Sequence, residues 1–219
     1  MEILLVSIAL IIFIVWYYRD LLFSKVSRTQ QMRTVAGEIK MSFSPKGDNA
    51  PQVPIKDFFL FSLGAVRSMK NVMNRNFNGA NVSIFDYNYY DRFTSFTQTV
   101  ILFVSPDLQI PHFSLVPRRP PAAARLNTYS PRNQAVEYDL LPGFSDEYEL
   151  VGQDENELRK VITEELISYY ENNIGLYTEG DGDQVIFYRL SEIVSPSNIR
   201  EFFKEGCHVF KLLTGKELL

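Results

Sequence analysis

Cysteine, histidine and surplus positive charge are all scarce in this sequence of 219 residues. The single cysteine, Cys207, cannot form an intrachain disulfide, which excludes a small secreted domain stapled by disulfides. Two histidines are too few for a typical histidine-rich metal centre. The 22 basic residues are outnumbered by 26 acidic ones, and a net charge of −4 lacks the electrostatic signature of a nucleic-acid-binding protein.

The short motifs that mark common catalytic and nucleotide-binding sites are also missing. The sequence has no G-x-S-x-G nucleophile elbow, no Walker phosphate loop, no G-x-G-x-x-G turn and no H-E-x-x-H helix. Internal repeats and low-complexity tracts are absent as well. We therefore expect no cofactor, no metal, no nucleic-acid partner and no assigned catalytic residue.

The first 23 residues are the clearest signal that is present. Residues 3–18 carry no charge, and at 1.5 Å per residue they cover roughly 24 Å of the ~30 Å hydrocarbon core of a bilayer. Trp16, Tyr17 and Tyr18 are typical of the membrane interface, and Arg19 can reach the head groups. A cleaved signal peptide would need a basic start and a small-residue cleavage site, which are missing. The sequence predicts a transmembrane anchor over residues 1–23.

The charges that flank this segment predict its orientation. Arg19, Lys25, Arg28 and Arg33 follow the apolar run against Asp20 alone, and no Lys or Arg precedes it. The positive-inside rule then places the rest of the chain in the cytoplasm, as a single-pass protein of the cell membrane. The same basic residues have two possible roles: they could only set the topology, or they could also contact anionic lipid.

The rest of the sequence predicts an α+β fold, in which an antiparallel β meander is followed by a helix, a β hairpin and a C-terminal helix. A small barrel or a pleckstrin-like arrangement is the alternative. The expected regions are a juxtamembrane connector with a first strand (24–57), an antiparallel sheet region (58–118), a linker (119–134) and an α+β region packed on the sheet (135–219). Within them, residues 36–43 and 58–64 are predicted as strands, and residues 67–77 fit helix and strand equally well.

Residues 84–103 hold seven aromatic side chains and two aspartates, Asp86 and Asp91. Alternation predicts two strands, 81–90 and 96–104, that are apolar on both faces toward their centres and joined by a polar turn. Asp86 shares a face with Val82 and Ile84, so it is expected to be partly buried. A structural hydrogen-bonding role is the simpler interpretation for it, because most buried polar groups are paired.

The C-terminal half has well-marked boundaries. Asp154 can cap a helix that ends by Asn173, and Ser195 before Pro196 begins the last helix, which Gly215 ends. Residues 175–190 read as two strands around a Gly-Asp turn. Glu205 and His208 have the i, i+3 spacing of a carboxylate-bridged metal motif, but the second copy that this motif needs is missing, so a solvated helix face is expected.

Three acidic residues, Glu179, Asp181 and Asp183, crowd into that hairpin. A calcium loop would continue with oxygen ligands at alternate positions, where this chain has Val185 and Phe187. A hairpin turn rich in Gly and Asp is the simpler interpretation. Together with Asp86, these acids are the candidate residues of a hydrolase, which would require them to converge with a metal or a base.

An ordered set of motifs, from "LFSLG", "NGANVSIFDYNY" and "TQTVILF" through "LQIPHFSLVP" and "LPGFSDEYELVG" to "GLYTEGDGDQVIFYR" and "IREFFKEG", resembles a family of uncharacterised bacterial membrane-anchored proteins. The resemblance covers about residues 58–213. It implies a membrane-attached bacterial protein and supplies no catalytic residues.

The function predicted from the sequence is a membrane-tethered, non-catalytic interaction or scaffold module with an unidentified protein partner. The reason is that a well-patterned fold carries no complete catalytic set. Two alternatives stay open: a carboxylate-dependent hydrolase, and a module that binds a lipid surface through the basic residues after the anchor.

Overall fold

One antiparallel sheet of nine strands forms the centre of the computed structural model, which describes residues 13, 28–47, 58–91, 94–119, 136–137, 142–152 and 154–219. The strands are β1 (Ser42–Ser44), β2 (Ala65–Phe77), β3 (Ala80–Asp91), β4 (Thr94–Val104), β5 (Ile110–Pro117), β6 (Val136–Glu137), β7 (Tyr148–Gly152), β8 (Tyr177–Gly182) and β9 (Gln184–Tyr188). Their spatial order is β1-β2-β3-β4-β9-β8-β5-β7-β6. The late hairpin β8–β9 therefore lies between β4 and β5, and among the described strands β1 and β6 form open edges rather than closing a barrel.

Six helices surround the sheet in the described part of the chain: α1 (28–38), α2 (Phe59–Ser62), α3 (Pro142–Glu147), α4 (Glu155–Val161), α5 (Glu164–Asn172) and α6 (Ile199–Thr214), the last preceded by a 3-10 turn, Pro196–Asn198. Buried side chains of α1, α4, α5 and α6 join one face of the sheet in a single core, and we call this the helical face. The opposite face is rich in aromatic rings and is packed against α2, and we call it the aromatic face. The α+β architecture predicted for the part after the anchor is confirmed.

The hairpin predicted from residues 84–103 is formed by β3 and β4. Val82 and Ile84 lie on the helical face, whereas Phe85, Tyr87 and Tyr89 lie on the aromatic face, as the alternation predicts. The pairs run without a register shift from Asn81 opposite Val104 to Asp91 opposite Thr94. Burial on both faces explains why the two strands are apolar on both sides.

The predicted helix signals in the C-terminal half are present with one difference. Asp154 accepts hydrogen bonds from the backbone N–H groups of Asn156 and Glu157, and Gly215 ends α6 in the left-handed region at φ +70°. The single helix expected after Asp154 is two helices, because Thr163 caps a second one by accepting a bond from the N–H of Leu166. Thr163 therefore begins α5 as Asp154 begins α4.

Three local predictions were wrong. Residues 59–62 of the expected strand 58–64 form helix α2, and most of the expected first strand, 36–43, belongs to the end of α1 and a turn, so β1 begins only at Ser42. The sequence "PGFSD" at residues 142–146 is typical of a turn and predicts one, but these residues belong to helix α3. Residues 67–77, which fitted either helix or strand, belong to β2. β2 pairs with β3, and the pairing has register shifts between Ala65 and Ser68 and between Lys70 and Met73. These shifts disturb the alternation of apolar and polar residues along β2.

The predicted membrane anchor lies almost wholly outside the described residues. Among the residues that are described, no helix is both long and apolar enough to cross a membrane. The interface residues expected there, Trp16, Tyr17, Tyr18 and Arg19, also lie outside the described residues.

Candidate functional site

The two buried carboxylates lie on opposite faces of the sheet. Asp86 shares the helical face with Val82 and Ile84, and it is 6% exposed. Glu179 is 1% exposed and pairs across the hairpin with Ile186, a member of the aromatic face. Because the sheet separates them, Asp86 and Glu179 do not belong to one reactive centre.

Asp86 accepts hydrogen bonds from three different elements. Both of its oxygens bind the guanidinium of Arg28 in α1, with Nη2 at 2.7 Å from Oδ1 and Nε at 3.0 Å from Oδ2. Asn71 of β2 donates to Oδ2 at 2.7 Å, and the Thr99 hydroxyl of β4 donates to Oδ1 at 3.1 Å. The Asp86 carboxylate is therefore saturated with donors, and its geometry suits a structural role.

Arg28 extends this network to the loop that precedes α6. Its Nη1 donates to the backbone carbonyl of Val194 at 2.8 Å, and the Thr99 hydroxyl also accepts the N–H of Val194 at 3.0 Å. The Arg28 side chain is 22% exposed. A basic residue that the sequence assigns to the membrane flank thus fixes α1 to the sheet.

Glu179 is also surrounded by donors, and two of them are backbone groups of α2. The N–H of Phe59 lies 2.6 Å from Oε2 and the N–H of Leu60 lies 3.2 Å from Oε1. The hydroxyl of Tyr188 donates to Oε1 at 2.8 Å, and Ser114 lies 3.5 Å from Oε2. Glu179 therefore satisfies the N–H groups that the first turn of α2 leaves without helical partners.

The electrostatics of Glu179 make this contact sensitive to pH. Burial raises the pKa of Glu179 to about 7, and the hydrogen bonds from Tyr188, Leu60, Phe59 and Ser114 oppose that rise. The carboxyl therefore titrates near neutrality. A fully buried acid with this pKa is one common mark of a functional site, although structural networks produce it as well.

The site lies beside a continuous patch of aromatic rings. The Phe61 ring packs on Phe85 and Tyr87 with centroids 6.4 Å and 4.9 Å apart, and Tyr177 stacks on Tyr188 at 5.1 Å. By holding α2 against the sheet, Glu179 keeps Phe58 and Leu60 in the core of the aromatic face. Glu179 therefore holds the short helix α2 over the aromatic face, and its carboxylate is not presented to solvent.

The remaining acids of the hairpin do not complete a catalytic set. Asp181 lies on the same strand as Glu179, and its Oδ2 is 3.9 Å from Nδ1 of His112, with both side chains partly exposed. Asp183 forms the β8–β9 turn, and its backbone carbonyl accepts the N–H of Ser105 at 2.9 Å. In the described part of the chain, no cluster of three or more His, Cys, Asp or Glu side chains has the geometry to hold a metal.

The residues of α6 that could serve as metal ligands or as a nucleophile make contacts that suit a structural role. Glu205 accepts a hydrogen bond from Arg189 at 2.8 Å, and the His208 ring packs on Tyr169 with centroids 4.8 Å apart. Cys207 is 6% exposed, and burial raises the pKa of its thiol to about 12. The thiol is therefore kept in its unreactive protonated form.

Sequence reasoning named Glu179 but missed its partners. Tyr188 was identifiable, because a turn at residues 182–183 pairs Tyr177 with Tyr188 and puts Tyr188 diagonal to Glu179 on one face. The backbone of α2 and the side chain of Arg28 had no such signal, since each meets its carboxylate across a long separation in sequence.

Comparison with known proteins yields a likeness of fold. No protein-family model matches the sequence, and no curated protein is similar to it. A similar solved structure is the crystal structure of the mycobacterial trehalose monomycolate transport factor A, TtfA, which is 11% identical with a TM-score of 0.59. The similar region covers 84% of this chain and 91% of that chain. The chain therefore shares its fold with the crystallised TtfA chain over most of the length of both chains.

Proposed function

We propose that this chain is a membrane-tethered, non-catalytic interaction module that assists lipid transport in a bacterial cell envelope. The observation that carries the proposal is the fold likeness to TtfA, whose name describes a transport factor for a mycolate-containing glycolipid. The charge-free segment at residues 3–18 supports the tether. The likeness extends over most of both chains, so it concerns the arrangement of the whole domain.

The hydrogen bonds that the two buried carboxylates accept support a non-catalytic role. Asp86 is saturated by Arg28, Asn71 and Thr99, and Glu179 by donors that include the backbone of α2. A hydrolase would need at least one of these groups open to a substrate and near a second catalytic group. We therefore favour the interaction module over a carboxylate-dependent hydrolase as the function of this chain.

Cross-linking in native membranes tests the proposal. The tagged full chain and a chain lacking residues 1–23 are expressed at equal levels in a bacterium that makes the protein, cross-linked and purified under denaturing conditions. We expect the full chain to fractionate with membranes and to capture the same lipid-transport protein in every replicate. The truncated chain should lose both properties.

A depletion experiment provides the functional readout. Depleting the chain should slow the appearance of radiolabelled lipid at the cell surface while total lipid synthesis stays unchanged. Unchanged surface lipid, together with no reproducible cross-linked partner, would contradict a role in transport.

A further inference from the structure

The direction of α1 shows toward which end of the sheet its first described residue, Arg28, lies. Arg28, at the first described residue of α1, binds Asp86, whereas the carbonyl of Ile39, just after the helix, accepts a bond from Arg75 at 3.2 Å. Arg75 pairs with Val82, four residues before Asp86 on β3. The helix therefore runs along the strands, and its N-terminus points toward the end of the sheet where β3 finishes.

Chain length keeps the predicted anchor close to that end. Only residues 24–27 separate Arg28 from the apolar run that finishes at Phe23. At no more than ~3.6 Å per residue, the chain from Phe23 to Arg28 reaches roughly 18 Å in any conformation. Along β3 from Asp86 to Tyr90 the strand advances about 14 Å. A bilayer that holds the predicted anchor therefore begins no farther than ~18 Å from Arg28, a distance that includes the level of Tyr90.

Among the described residues, two large apolar side chains are exposed at this end of the sheet, which we call the proximal end and define by Leu63–Arg67 and Tyr90. Val66 is 76% exposed and Tyr90 is 46% exposed, and Ala65 pairs directly with Tyr90. Val66 has φ +50°, a region that a β-branched residue rarely adopts. Strained backbone is concentrated at functional sites, so the exposed Val66 and Tyr90 are candidates for a contact surface.

Arg67 holds the backbone of the proximal end in this shape. Its guanidinium donates to the carbonyls of Ser62, Leu63 and Gly64 at 2.9, 3.2 and 3.1 Å. Gly64 has φ +53°, and an added Cβ there would overlap the carbonyl oxygen of Tyr90. The contacts of Arg67 and Gly64 therefore fix a bend in the backbone at residues 62–66, and Val66 in this bend points away from the core.

We propose that the proximal end rests on the surface of a lipid bilayer, with the side chains of Val66 and Tyr90 in the head-group region. This inference rests on the membrane tether of the proposed function. Tyrosine favours the interface because its ring is apolar and its hydroxyl polar, and Arg67 supplies a positive charge next to anionic lipid. The contact is with lipid itself and needs no protein partner.

Fluorescence in vesicles of phosphatidylethanolamine and phosphatidylglycerol tests the contact. The full chain carries Cys207→Ala together with Val66→Cys labelled with an environment-sensitive nitrobenzoxadiazole dye, and is reconstituted with and without doxyl-labelled lipid. Leu219→Cys is the matched control, because Leu219 is 61% exposed. Leu219 lies two residues after Glu217, whose carbonyl accepts a hydrogen bond from Asn78 in the β2–β3 turn at the opposite end of the sheet.

The expected result is a blue-shifted emission at position 66 that doxyl lipid near the head group quenches, with neither effect at position 219. Equal emission and equal quenching at the two positions would overturn the proposal. Flotation of the same samples reports the tether separately, since a chain that floats without quenching at position 66 is anchored but not docked. A second label at Tyr90→Cys should follow position 66, and failure at both positions counts against docking even if one substitution disturbs the bend.

Discussion

Glu179 is the residue whose chemistry depends most on the fold. The unfolded chain exposes an ordinary glutamate with a pKa near 4.5, and burial raises the pKa to about 7 in the folded protein. Below pH 4.5 both states are protonated. Between these values the unfolded state loses its proton first, so folding stability declines as the pH rises toward 7 and then levels off.

The pH dependence can be measured with Glu179→Gln. A difference of this size between folded and unfolded pKa corresponds to about 3 kcal/mol. We expect the free energy of unfolding of the wild-type chain to fall by about 3 kcal/mol more than that of the variant between pH 4.5 and pH 8. Urea titrations of the full chain in detergent, followed by near-UV circular dichroism, measure both.

Glu171→Gln is the control for this substitution, because Glu171 is exposed on α5. It should show the wild-type pH dependence. If Glu179→Gln also kept the full wild-type slope, Glu179 would not be the group that links stability to pH.

Asp86 should contribute most of its stability through the pair with Arg28. Removing one partner of a buried pair leaves the other charge without compensation, so we expect Asp86→Leu to lower the free energy of unfolding by about 3 kcal/mol. The double variant Arg28→Met with Asp86→Leu should lose less than the two single variants combined. Denaturation of all four chains completes a double-mutant cycle.

An exposed ion pair serves as the comparison for this cycle. Arg200 donates to Glu38 at 3.1 Å, and both side chains are more than half exposed. Glu38→Ala should therefore change stability by less than about 1 kcal/mol. Additive effects of the Arg28 and Asp86 substitutions would contradict the coupling that we infer from the geometry.

At the scale of elements, two glycines should respond to alanine in opposite ways. Gly180 of β8 pairs with Phe113, and an added Cβ would press on the Phe113 ring and lie 2.6 Å from Cγ2 of Ile110. Gly180→Ala should therefore overpack the sheet and cost about 2 kcal/mol. Gly37 of α1 has nothing within 4 Å of such an atom, so Gly37→Ala should stabilise the helix by about 0.5 kcal/mol.

Thermal unfolding of both variants in one buffer measures the two effects against the wild type. A midpoint that falls for Gly37→Ala, or that is unchanged for Gly180→Ala, would contradict the packing around these two glycines. Both substitutions add the same single carbon. The difference between their unfolding midpoints therefore reports how much space surrounds each glycine, and not the chemistry of alanine.

The elements that the sequence predicted well are those specified by local patterns. The β3–β4 hairpin was found because strict alternation assigns Phe85 and Ile84 to opposite faces, and α6 because Pro196 and Gly215 mark its boundaries. Asp154 was likewise identifiable as a cap from its own sequence neighbourhood. Such signals act within a few residues and need no knowledge of the tertiary structure.

The elements that were missed depend on distant contacts. Helix α2 is only four residues long, and its apolar sequence suits a strand equally well until Glu179 supplies acceptors for its first N–H groups. The alternation of β2 is disturbed by its two register shifts. The Arg28–Asp86 pair joins residues 58 positions apart, and no local pattern marks it.

At the scale of the whole molecule, the length of the connection between anchor and fold should control contact with the bilayer. Inserting ten Gly and Ser residues between Phe23 and Ser24 leaves the anchor and the Arg28–Asp86 pair intact. It lowers the effective concentration of the proximal end at the membrane, so we expect weaker quenching of the Val66→Cys label by doxyl lipid. Flotation with vesicles should not change.

Inserting the same ten residues in the β2–β3 turn, between Asn78 and Gly79, is the control for added length. That insertion lies at the opposite end of the sheet and should leave quenching at position 66 at the level of the uninserted chain. Equal quenching in all three proteins would mean that the proximal end binds lipid without help from the short connection, or that the label reports something other than docking.

The position of β9 between β4 and β8 has a consequence for synthesis on the ribosome. β3 is complete before β4, but Gln184 of β9 emerges 80 residues after Val104, the last residue of β4. At roughly 5–20 residues per second, the second edge of β4 waits several seconds for its partner. That edge belongs to an apolar strand, "TQTVILFV", of the kind that pairs with other chains when it is left open. Nascent chains of this protein are therefore expected to need protection from a chaperone during that interval, and fragments that end before β9 should aggregate.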